Sequence, residues 1–533
     1  MKDSKGTGID RRLLISGAGG ALFGAQAVTA WAAPAAPVVQ TTAGAIRGSV
    51  TGKIAAFKGV PYGASTAGTN RFRAPQKVAR WKGVRDATHY GRICPQPNFP
   101  VLPEIDGSEA HDPQGEDCLL LNVWTPKLGA GKAPVMVWFH GGGYTVGGGS
   151  APWYDGHNLA AHQGAVVVTI NHRLNVFGFL YLDELMGSAF AGAGNAGMLD
   201  CVAALRWVRD NIAGFGGDPH NVTIFGESGG AGKVSTLMAM PSAKGLFHRA
   251  IAESGAALKH ATREQATKAA QALLDTLGLQ PSDAAKLQAL PVEDILAAMA
   301  KVRMPGAFNP MVDGVAIPHD PFDPAAPTLS ADVPFMTGSN LTEATFLPDT
   351  PLDPLDDAAL LSHVKGFTHT DDAAAERLIA IFRGENPGRD NVFVYQLIAS
   401  EYWMRAAVLL QAERKAAQHR APVYVYQFNR LSPARGGKLH CPHGSEIPFA
   451  FDNLYTAPDL VGPPATGQAL ADRMSAAWVA FARTGDPTAP GGLHWPAYGA
   501  GRRVMVFDEK SQVETDPGGK GRAAIAALKA SQA

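Results

Sequence analysis

The stretch Asn221–Gly230, NVTIFGESGG, constrains the fold of this chain more than any other part of its sequence. The run Val222–Phe225 is β-branched and aromatic, which predicts a short buried strand. The motif GESGG follows at once, and a helix-compatible run, Ala231–Met240, ends at Pro241. A strand, then G-x-S-x-G, then a helix is the order that a nucleophile elbow requires. We therefore expect the Ser228 hydroxyl at a sharp turn, close to the N–H groups that begin the next helix.

Two other interpretations of this motif exist. Five-residue patterns recur by chance, so the motif alone is also compatible with a Gly/Ser-rich turn without a catalytic role. A P-loop would require G-x-x-x-x-G-K-[ST] around Gly232-Lys233. Glu227 stands where its first glycine should be, and Val234 stands where its hydroxyl residue should be. We therefore set phosphoryl transfer aside.

A second glycine motif follows another predicted strand. The apolar run Val135–Phe139 predicts a central strand and leads directly into His140–Tyr144, HGGGY. Consecutive glycines are tolerated where backbone N–H groups must be presented closely, and at the end of a central strand they predict an oxyanion-hole loop. A flexible hairpin tip and a dinucleotide loop are the alternatives, but no G-x-G-x-x-G opens a helix here.

The remaining apolar patterns predict an α/β fold. Strands are expected at 119–124, 165–171, 246–255, 333–338, 422–428 and, as the last one, 504–507, and a small N-terminal sheet within 38–63. Helices are expected at 198–212 and 468–483 and over most of 259–304 and 356–413. Alternating strands and helices imply a mostly parallel central sheet flanked by helices, with helical insertions around the site. Ligands of such sheets bind at the carboxyl ends of the strands, where both glycine motifs fall.

Composition excludes several classes of protein. The chain has 533 residues, of which 46% are hydrophobic, and this suffices for one large core with insertions. Lys and Arg number 47, as do Asp and Glu, so no basic excess indicates a nucleic-acid partner. No stretch beyond the N-terminus is long and apolar enough to span a bilayer, so no stable membrane insertion is expected after signal cleavage.

The N-terminus predicts an export signal over residues 1–32. Arg11-Arg12 precedes a Gly/Ala-rich apolar run, and Ala30-Trp31-Ala32 offers an A-x-A cleavage site. Paired arginines favour twin-arginine export to the periplasm or the medium. An uncleaved anchor or an ordinary Sec signal are the alternatives. We assign residues 38–515 to the main domain and 516–533 to a C-terminal tail.

The four cysteines are compatible with an oxidising compartment. Cys94 and Cys118 lie in loop-like sequence and are the favoured disulfide pair. Their bridge would close a loop of ~25 residues and contribute roughly 3 to 4 kcal/mol in the chain-entropy model. Cys201 lies in a helical pattern and is interpreted as a small buried hydrophobe, whereas Cys441 could be free.

Acyl transfer by a serine needs a base beside the hydroxyl and a carboxylate that orients the base. In this architecture the chain order is Ser, then Asp or Glu, then His. Glu343 and His443 each follow a predicted strand, in that order. Taken singly, Glu343 could be a solvated loop acid and His443 a structural histidine. A metal held by His440, Cys441 and His443 is a further alternative, but their spacing matches no standard site.

Five motifs resemble those of the type-B carboxylesterases, which include bacterial para-nitrobenzyl esterases and animal cholinesterases. They are EDCLLLNVWTP at 116–126, HGGGY at 140–144, GNAGMLD at 194–200, FGGDPHNVTIFGESGG at 215–230 and HGSEIPF at 443–449. The resemblance extends from about residue 38 to about residue 507. It implies an α/β-hydrolase fold and hydrolysis of a small-molecule ester, without a metal or cofactor.

The resemblance also implies roles for single residues. Ser228 would be the nucleophile, His443 the general base and acid, and Glu343, in TGSNLTEATF, the orienting carboxylate. Other implied roles are backbone oxyanion donors (Gly142, Gly143, Gly229), a supporting serine behind the acid (Ser254), the family's first disulfide (Cys94, Cys118) and two bracing ion pairs (Arg71 with Glu116, Arg173 with Asp200).

Two departures from the family bear on the substrate. Gly229 stands where cholinesterases carry Ala, which preserves the N–H donor. No Trp lies between Cys94 and Cys118, so the aromatic platform that grips choline is missing and a neutral ester is favoured. Tyr144, Phe308 and Phe346 are candidates for lining the pocket, with core packing as the alternative. The competing functions are a binding or adhesion protein and a specialised lipase or an aromatic-ester, polyester or mycotoxin esterase.

Overall fold

The computed structural model describes residues 36–98, 102–129 and 131–532. The predicted export signal over 1–32 lies outside the described residues. The strands are β1 (Val38–Gln40), β2 (Ala45–Arg47), β3 (Ser49–Thr51), β4 (Ile54–Pro61), β5 (Val84–Asp86), β6 (Leu120–Thr125), β7 (Ala133–Phe139), β8 (Val166–Ile170), β9 (Gly217–Glu227), β10 (Arg249–Glu253), β11 (Phe335–Asn340), β12 (Val423–Phe428), β13 (Arg503–Phe507) and β14 (Gln512–Thr515).

The helices occupy the connections between these strands. They are α1 (His157–Gln163), α2 (Asn175–Phe179), α3 (Asp183–Met186), α4 (Ala196–Asn211), α5 (Gly229–Ala239), α6 (Arg263–Leu277), α7 (Ala284–Ala289), α8 (Val292–Met299), α9 (Asp357–Thr368), α10 (Asp372–Glu385), α11 (Asn391–Ser400), α12 (Ala406–Ala416), α13 (Ile447–Ala450), α14 (Pro458–Val461), α15 (Pro464–Thr484) and α16 (Gly519–Gln532). A π-helical turn, Glu401–Arg405, joins α11 to α12.

The central sheet has 11 strands in the order β14-β13-β12-β11-β10-β9-β7-β8-β6-β4-β3. Every pair from β13 to β8 in this order is parallel, and the pairs at both ends of the sheet are antiparallel. The predicted mostly parallel sheet, flanked by helices, is thus confirmed. Strand β9 lies near the middle of the sheet, so the residue that follows it emerges at the centre of the carboxyl edge.

Both faces of the central sheet are buried. On β9, Ile224 packs into one apolar cluster together with Val137 of β7. The next residue, Phe225, packs into a second cluster on the opposite face together with Trp138. Side chains alternate across a strand, so a continuous apolar run fills both clusters. Burial of each such side chain contributes about 1.5 to 3 kcal/mol, which makes β7 and β9 a rigid base for the loops at their ends.

The structure corrects two details of the strand prediction. Within 38–63 only β1 and β2 belong to a small sheet, which β5 completes, whereas β3 and β4 join the main sheet. The strand at 504–507 is not the last, because β14 pairs antiparallel with it. Strand β14 has the sequence QVET and forms the half-exposed edge of the sheet, so it carries no apolar run that a pattern could detect.

The segment 516–533 contains helix α16. Its Ile525 is fully buried in an apolar cluster with Leu378 and Phe382 of α10. The backbone N–H groups of Lys520 and Gly521 each donate to the Glu385 carboxylate at 2.9 Å. Helix α16 therefore packs against α10 of the main domain. Of the helices that the structure describes, none has the length and apolar character needed to cross a membrane.

Candidate active site

Ser228 lies in the turn between β9 and α5. Its φ of 56° and ψ of −120° are unfavourable for a residue with a side chain and cost on the order of 1 to 3 kcal/mol. The backbone N–H of Ser228 donates to the Glu253 carbonyl of β10 at 2.8 Å, which helps to hold the turn. A Cβ atom added to Gly226 or Gly230 would lie 2.5 or 1.9 Å from the Phe139 carbonyl oxygen. Only glycine at these two positions lets the turn approach the end of β7 so closely.

The glycine loop lies against this turn. Gly142 and Gly143 have positive φ values of 77° and 63°, which glycine adopts without strain. A Cβ atom added to Gly229 would lie 2.1 Å from the Gly143 carbonyl oxygen. The loop and the first residue of α5 are therefore in backbone contact. This contact gives a physical reason for glycine at position 229, where cholinesterases carry alanine.

Glu343 and His443 form a close pair. Glu343 lies in a short turn after β11 and is fully buried, and its Oε1 accepts the Asn340 N–H at 2.6 Å. Its Oε2 lies 2.6 Å from Nδ1 of His443, which follows β12. The His443 ring also contacts the rings of Phe346 and Trp403, with centroids 5.3 and 5.2 Å away. The carboxylate and the two aromatic rings fix the orientation of the imidazole.

The structure does not join His443 to Ser228 by a hydrogen bond. Within the described residues the Ser228 hydroxyl has no hydrogen-bond partner, although both residues line the same cavity. The other imidazole nitrogen, Nε2, instead lies 3.2 Å from Oε1 of Glu227. Burial of His443 lowers its pKa, but the carboxylates of Glu227 and Glu343 outweigh this effect and raise the pKa to about 9. For the Glu227 carboxyl, burial has the opposite effect, because it disfavours the charged carboxylate, and the pKa rises to about 8.

A further buried carboxyl, Glu446, lies behind this pair. The Ser254 hydroxyl donates to Oε1 of Glu446 at 2.9 Å, and the Asn340 side-chain amide donates to Oε2 at 2.6 Å. Ser254 thus binds Glu446 rather than the predicted acid Glu343. Burial raises the pKa of Glu446 to about 7. Neither Glu227 nor Glu446 was predicted from the sequence as a site residue, although one lies inside GESGG and the other inside HGSEIPF.

Two cavities meet at Ser228. The larger has a volume of about 770 Å³, and its lining includes Tyr144, Phe308 and Trp403. The smaller, of about 310 Å³, is lined by Phe346 and His443 among others. Ser228 lines both cavities, so a bound molecule could extend from it in two directions. The three aromatic residues suggested from the sequence, Tyr144, Phe308 and Phe346, all lie on these walls.

All four cysteines are buried free thiols, so the disulfide predicted between Cys94 and Cys118 is not formed in the structure. The Cys94 thiol donates to the Pro95 carbonyl at 3.5 Å, and the neighbouring Cys94 together with burial raises the pKa of Cys118 well above its usual value. The two thiols are adjacent, but a disulfide also requires an oxidant that accepts two electrons. Cys441 donates instead to the Phe428 carbonyl at 3.0 Å.

The two predicted ion pairs are formed. Arg71 binds the Glu116 carboxylate through two hydrogen bonds of 2.6 Å each. Arg173 binds Asp200 in the same manner, at 2.8 and 2.6 Å, and both partners are almost completely buried. Such bidentate pairs hold a planar geometry firmly. They fix the loops that follow β4 and β8.

Comparisons with known proteins agree with this architecture. The profile of the Carboxylesterase family matches residues 35–520. The chain is similar to the para-nitrobenzyl esterase of Bacillus subtilis (strain 168), with 35% identity over 495 residues, 90% of this chain and 96% of that protein. A solved carboxylesterase of Geobacillus stearothermophilus has a TM-score of 0.80 and 37% identity, covering 91% of this chain and 99% of its own. An esterase from Clostridium hathewayi that can hydrolyse aliphatic aromatic polyesters has a TM-score of 0.81 and 34% identity, with 93% and 99% covered.

Proposed function

The chain belongs to the carboxylesterase family and hydrolyses carboxylic esters on an α/β-hydrolase fold, and we propose that Ser228, His443 and Glu343 carry out this reaction. Ser228 is the nucleophile, His443 the general base and then acid, and Glu343 the carboxylate that orients the imidazole. The observation that carries this proposal is the 2.6 Å contact between His443 Nδ1 and Glu343 Oε2, at the wall of a cavity that Ser228 also lines.

The reaction begins with the attack of Ser228 on the ester, which forms a tetrahedral intermediate. The Ser228 oxygen attacks the ester carbonyl carbon while Nε2 of His443 takes the hydroxyl proton. Catalytic hydrogen bonds often form only when substrate is bound, so we propose that the ester brings Nε2 from Glu227 to Ser228. The N–H groups of Gly142, Gly143 and Gly229 then bind the tetrahedral oxyanion, and each is worth roughly 3 kcal/mol if comparable to measured cases.

The alcohol is then released as Ser228 becomes acylated, and the acid is released when water removes the acyl group. The imidazolium gives its proton to the alcohol oxygen as the C–O bond breaks, which leaves an acyl group on Ser228. Water then attacks the acyl carbon, His443 takes a proton from the water, and the acid departs as Ser228 regains its own proton. No step in this sequence requires a metal or cofactor.

The two cavities support a proposed placement for the two parts of the ester. The leaving alcohol must face His443, which lines only the smaller cavity of about 310 Å³. The acyl group then occupies the larger cavity of about 770 Å³. We expect that lengthening the acyl part from acetyl to octanoyl changes kcat/KM less than an equal lengthening of the alcohol part. Steady-state rates on two matched ester series measure this, and a greater tolerance on the alcohol side would reverse the assignment.

Export and a disulfide complete the proposal. The Arg11-Arg12 pair and the A-x-A site at 30–32 support a cleaved signal and a periplasmic or secreted enzyme. In that oxidising compartment, the adjacent thiols of Cys94 and Cys118 would join. The substrate is a small neutral ester, which the missing choline-binding Trp supports.

Replacement of the nucleophile tests the proposed reaction. We expect Ser228→Ala to lower kcat on para-nitrophenyl butyrate by roughly 10⁴-fold or more, because triad residues act as a unit. The circular dichroism spectrum should stay unchanged. Ser531→Ala, on the exposed end of α16, is the matched control and should keep full activity. Retention of more than a few per cent of activity in Ser228→Ala would refute the assignment.

A further inference from the structure

A buried lysine lies beneath the glycine loop. Lys233 is on α5 and has no exposed surface. Its Nζ donates to the His140 carbonyl at 2.9 Å and to the Gly143 carbonyl at 2.8 Å. Burying an ammonium group costs several kcal/mol unless its surroundings compensate, and here this burial lowers the pKa of Lys233 to about 7. Nothing in the acyl-transfer scheme above uses this side chain.

The two bonded carbonyls bracket the proposed oxyanion donors. Each carbonyl shares a rigid plane with the next N–H group, so Lys233 fixes the peptides that link His140 to Gly141 and Gly143 to Tyr144. Between them lie the two peptides that present the N–H groups of Gly142 and Gly143. The intervening Gly142 carbonyl accepts the Val146 N–H at 3.1 Å. The loop is therefore held from both ends by one side chain and in the middle by its own backbone.

The same lysine ties the loop to the third proposed donor. Gly229 begins α5, and Lys233 follows it one turn later on the same helix. The Gly143 carbonyl oxygen that accepts from Nζ also lies against Gly229, since a Cβ atom added to Gly229 would lie 2.1 Å from it. A shift of the loop away from α5 would therefore separate the Gly143 and Gly229 N–H groups from each other.

We propose that Lys233 is a positioning residue that clamps the glycine loop to α5 and thereby aligns the three oxyanion donors. The inference rests on the proposed function, because it takes Gly142, Gly143 and Gly229 as those donors. Lys233 does not touch the substrate and acts only through the loop.

A second buried lysine supplies a matched control. Lys415, on α12, is 1% exposed, and its Nζ donates to the Ser330 and Ala331 carbonyls at 2.9 and 2.8 Å. It thus also bonds two backbone carbonyls, with a third bond to Gln418 Oε1 at 2.9 Å, and lines neither cavity at Ser228. A substitution there removes an equivalent buried clamp without affecting the glycine loop.

The experiment compares Lys233→Met, Lys233→Gln and Lys415→Met in the full chain. The assays are kcat and KM on para-nitrophenyl butyrate, the inhibition constant of an aryl trifluoromethyl ketone and the thermal midpoint. The ketone forms a hemiketal oxyanion on the serine, so its affinity reports directly on donor alignment. Loss of a single donor costs about 10²- to 10³-fold, and we expect Lys233→Met to lower kcat by roughly 10- to 100-fold. KM should stay within about threefold, and the ketone should bind more weakly by a factor similar to the loss in kcat.

The other two variants separate an effect on the alignment of the oxyanion donors from an effect on the stability of the fold. Lys415→Met should lower the thermal midpoint but keep kcat within about twofold. Lys233→Gln retains N–H donors without charge and should recover about fivefold or more of the activity lost in Lys233→Met. If Lys233→Met does not fold, the comparison of Lys233→Gln with Lys415→Met carries the test. The proposal is overturned if Lys233→Met keeps kcat and ketone affinity within about threefold, or if Lys415→Met loses as much. An active Ser228→Ala would instead refute the proposed function itself.

Discussion

At the scale of single residues, His443 is the focus of the site. Its two nitrogens face two different carboxylates, Glu343 at 2.6 Å and Glu227 at 3.2 Å. A negative charge on either carboxylate favours the imidazolium and therefore opposes the neutral form that a general base needs. Glu343 was predicted from its place after a strand. The contact between His443 and Glu227 was not predicted. Glu227 precedes Ser228 in the sequence, and this position does not indicate which way its side chain points.

The pH dependence of kcat follows from this arrangement. As the proposed general base, His443 would act only when neutral, and its raised pKa would move the acid limb of the profile above the usual histidine value near 6.5. Glu227→Gln removes one of the two carboxylates that flank the ring and raise this pKa, so we expect the limb to move down by about one pH unit or more. Profiles of kcat between pH 5 and 10 measure the shift.

The control for this prediction is Glu264→Gln, which removes a carboxylate exposed on α6. Its profile should match that of the unaltered enzyme. An acid limb that stays in place in Glu227→Gln would show that Glu227 does not raise the pKa of His443.

At the scale of elements, the site consists of two turns that pack backbone to backbone. The turn after β9 carries Ser228, and the loop after β7 carries Gly142 and Gly143. Because β7 and β9 are neighbours in register, with Phe139 opposite Gly226, both turns emerge at the same edge. The sequence predicted each turn from its glycines. The contact between Gly143 and Gly229 requires β7 and β9 to be neighbours in the sheet, although β8 lies between them in the sequence. Local patterns do not encode this order.

Gly229→Ala tests this contact. The new Cβ would lie 2.1 Å from the Gly143 oxygen, so the loop must move and its N–H groups with it. We expect kcat on para-nitrophenyl butyrate to fall about tenfold or more, with a smaller change in KM.

The control for Gly229→Ala is Gly366→Ala within helix α9, where an added Cβ meets nothing within 4 Å. This substitution should leave kcat unchanged and stabilise the fold by about 0.5 to 1 kcal/mol. An unchanged kcat in Gly229→Ala would mean that the loop tolerates displacement.

At the scale of the whole molecule, segments distant in sequence support the central sheet. Helix α16 packs its buried Ile525 against α10, about 150 residues earlier in the chain. Arg71, in the loop that follows β4, binds Glu116 and also donates through Nη1 to the carbonyl of Leu290, just after α7, at 2.6 Å. Glu116 stands two residues before Cys118, so this ion pair holds the chain next to that thiol.

The proposed export and disulfide are tested together on the secreted protein. We expect an N-terminus that begins after Ala32 and a mass that rises by about 2 Da on reduction of one bridge. Reduction should lower the free energy of unfolding by about 3 to 4 kcal/mol, measured in urea with and without reductant. In the control, Cys94→Ser with Cys118→Ser, stability should not depend on reductant. An intact N-terminus would contradict the proposed signal cleavage. A free energy of unfolding that does not depend on reductant in the unsubstituted protein would contradict the proposed disulfide.

The sequence by itself determined both glycine turns, the order of the candidate serine, acid and histidine, the family, and the apolar strands of the sheet but not its edge strand β14. These features are local: apolar period, glycine at sharp turns and short motifs act over a few residues. Only the tertiary structure decided that His443 faces Glu227, that Ser254 binds Glu446 and that Lys233 holds the glycine loop. These contacts join residues from different strands and helices, so they depend on how the elements pack, and no local pattern in the chain carries that information.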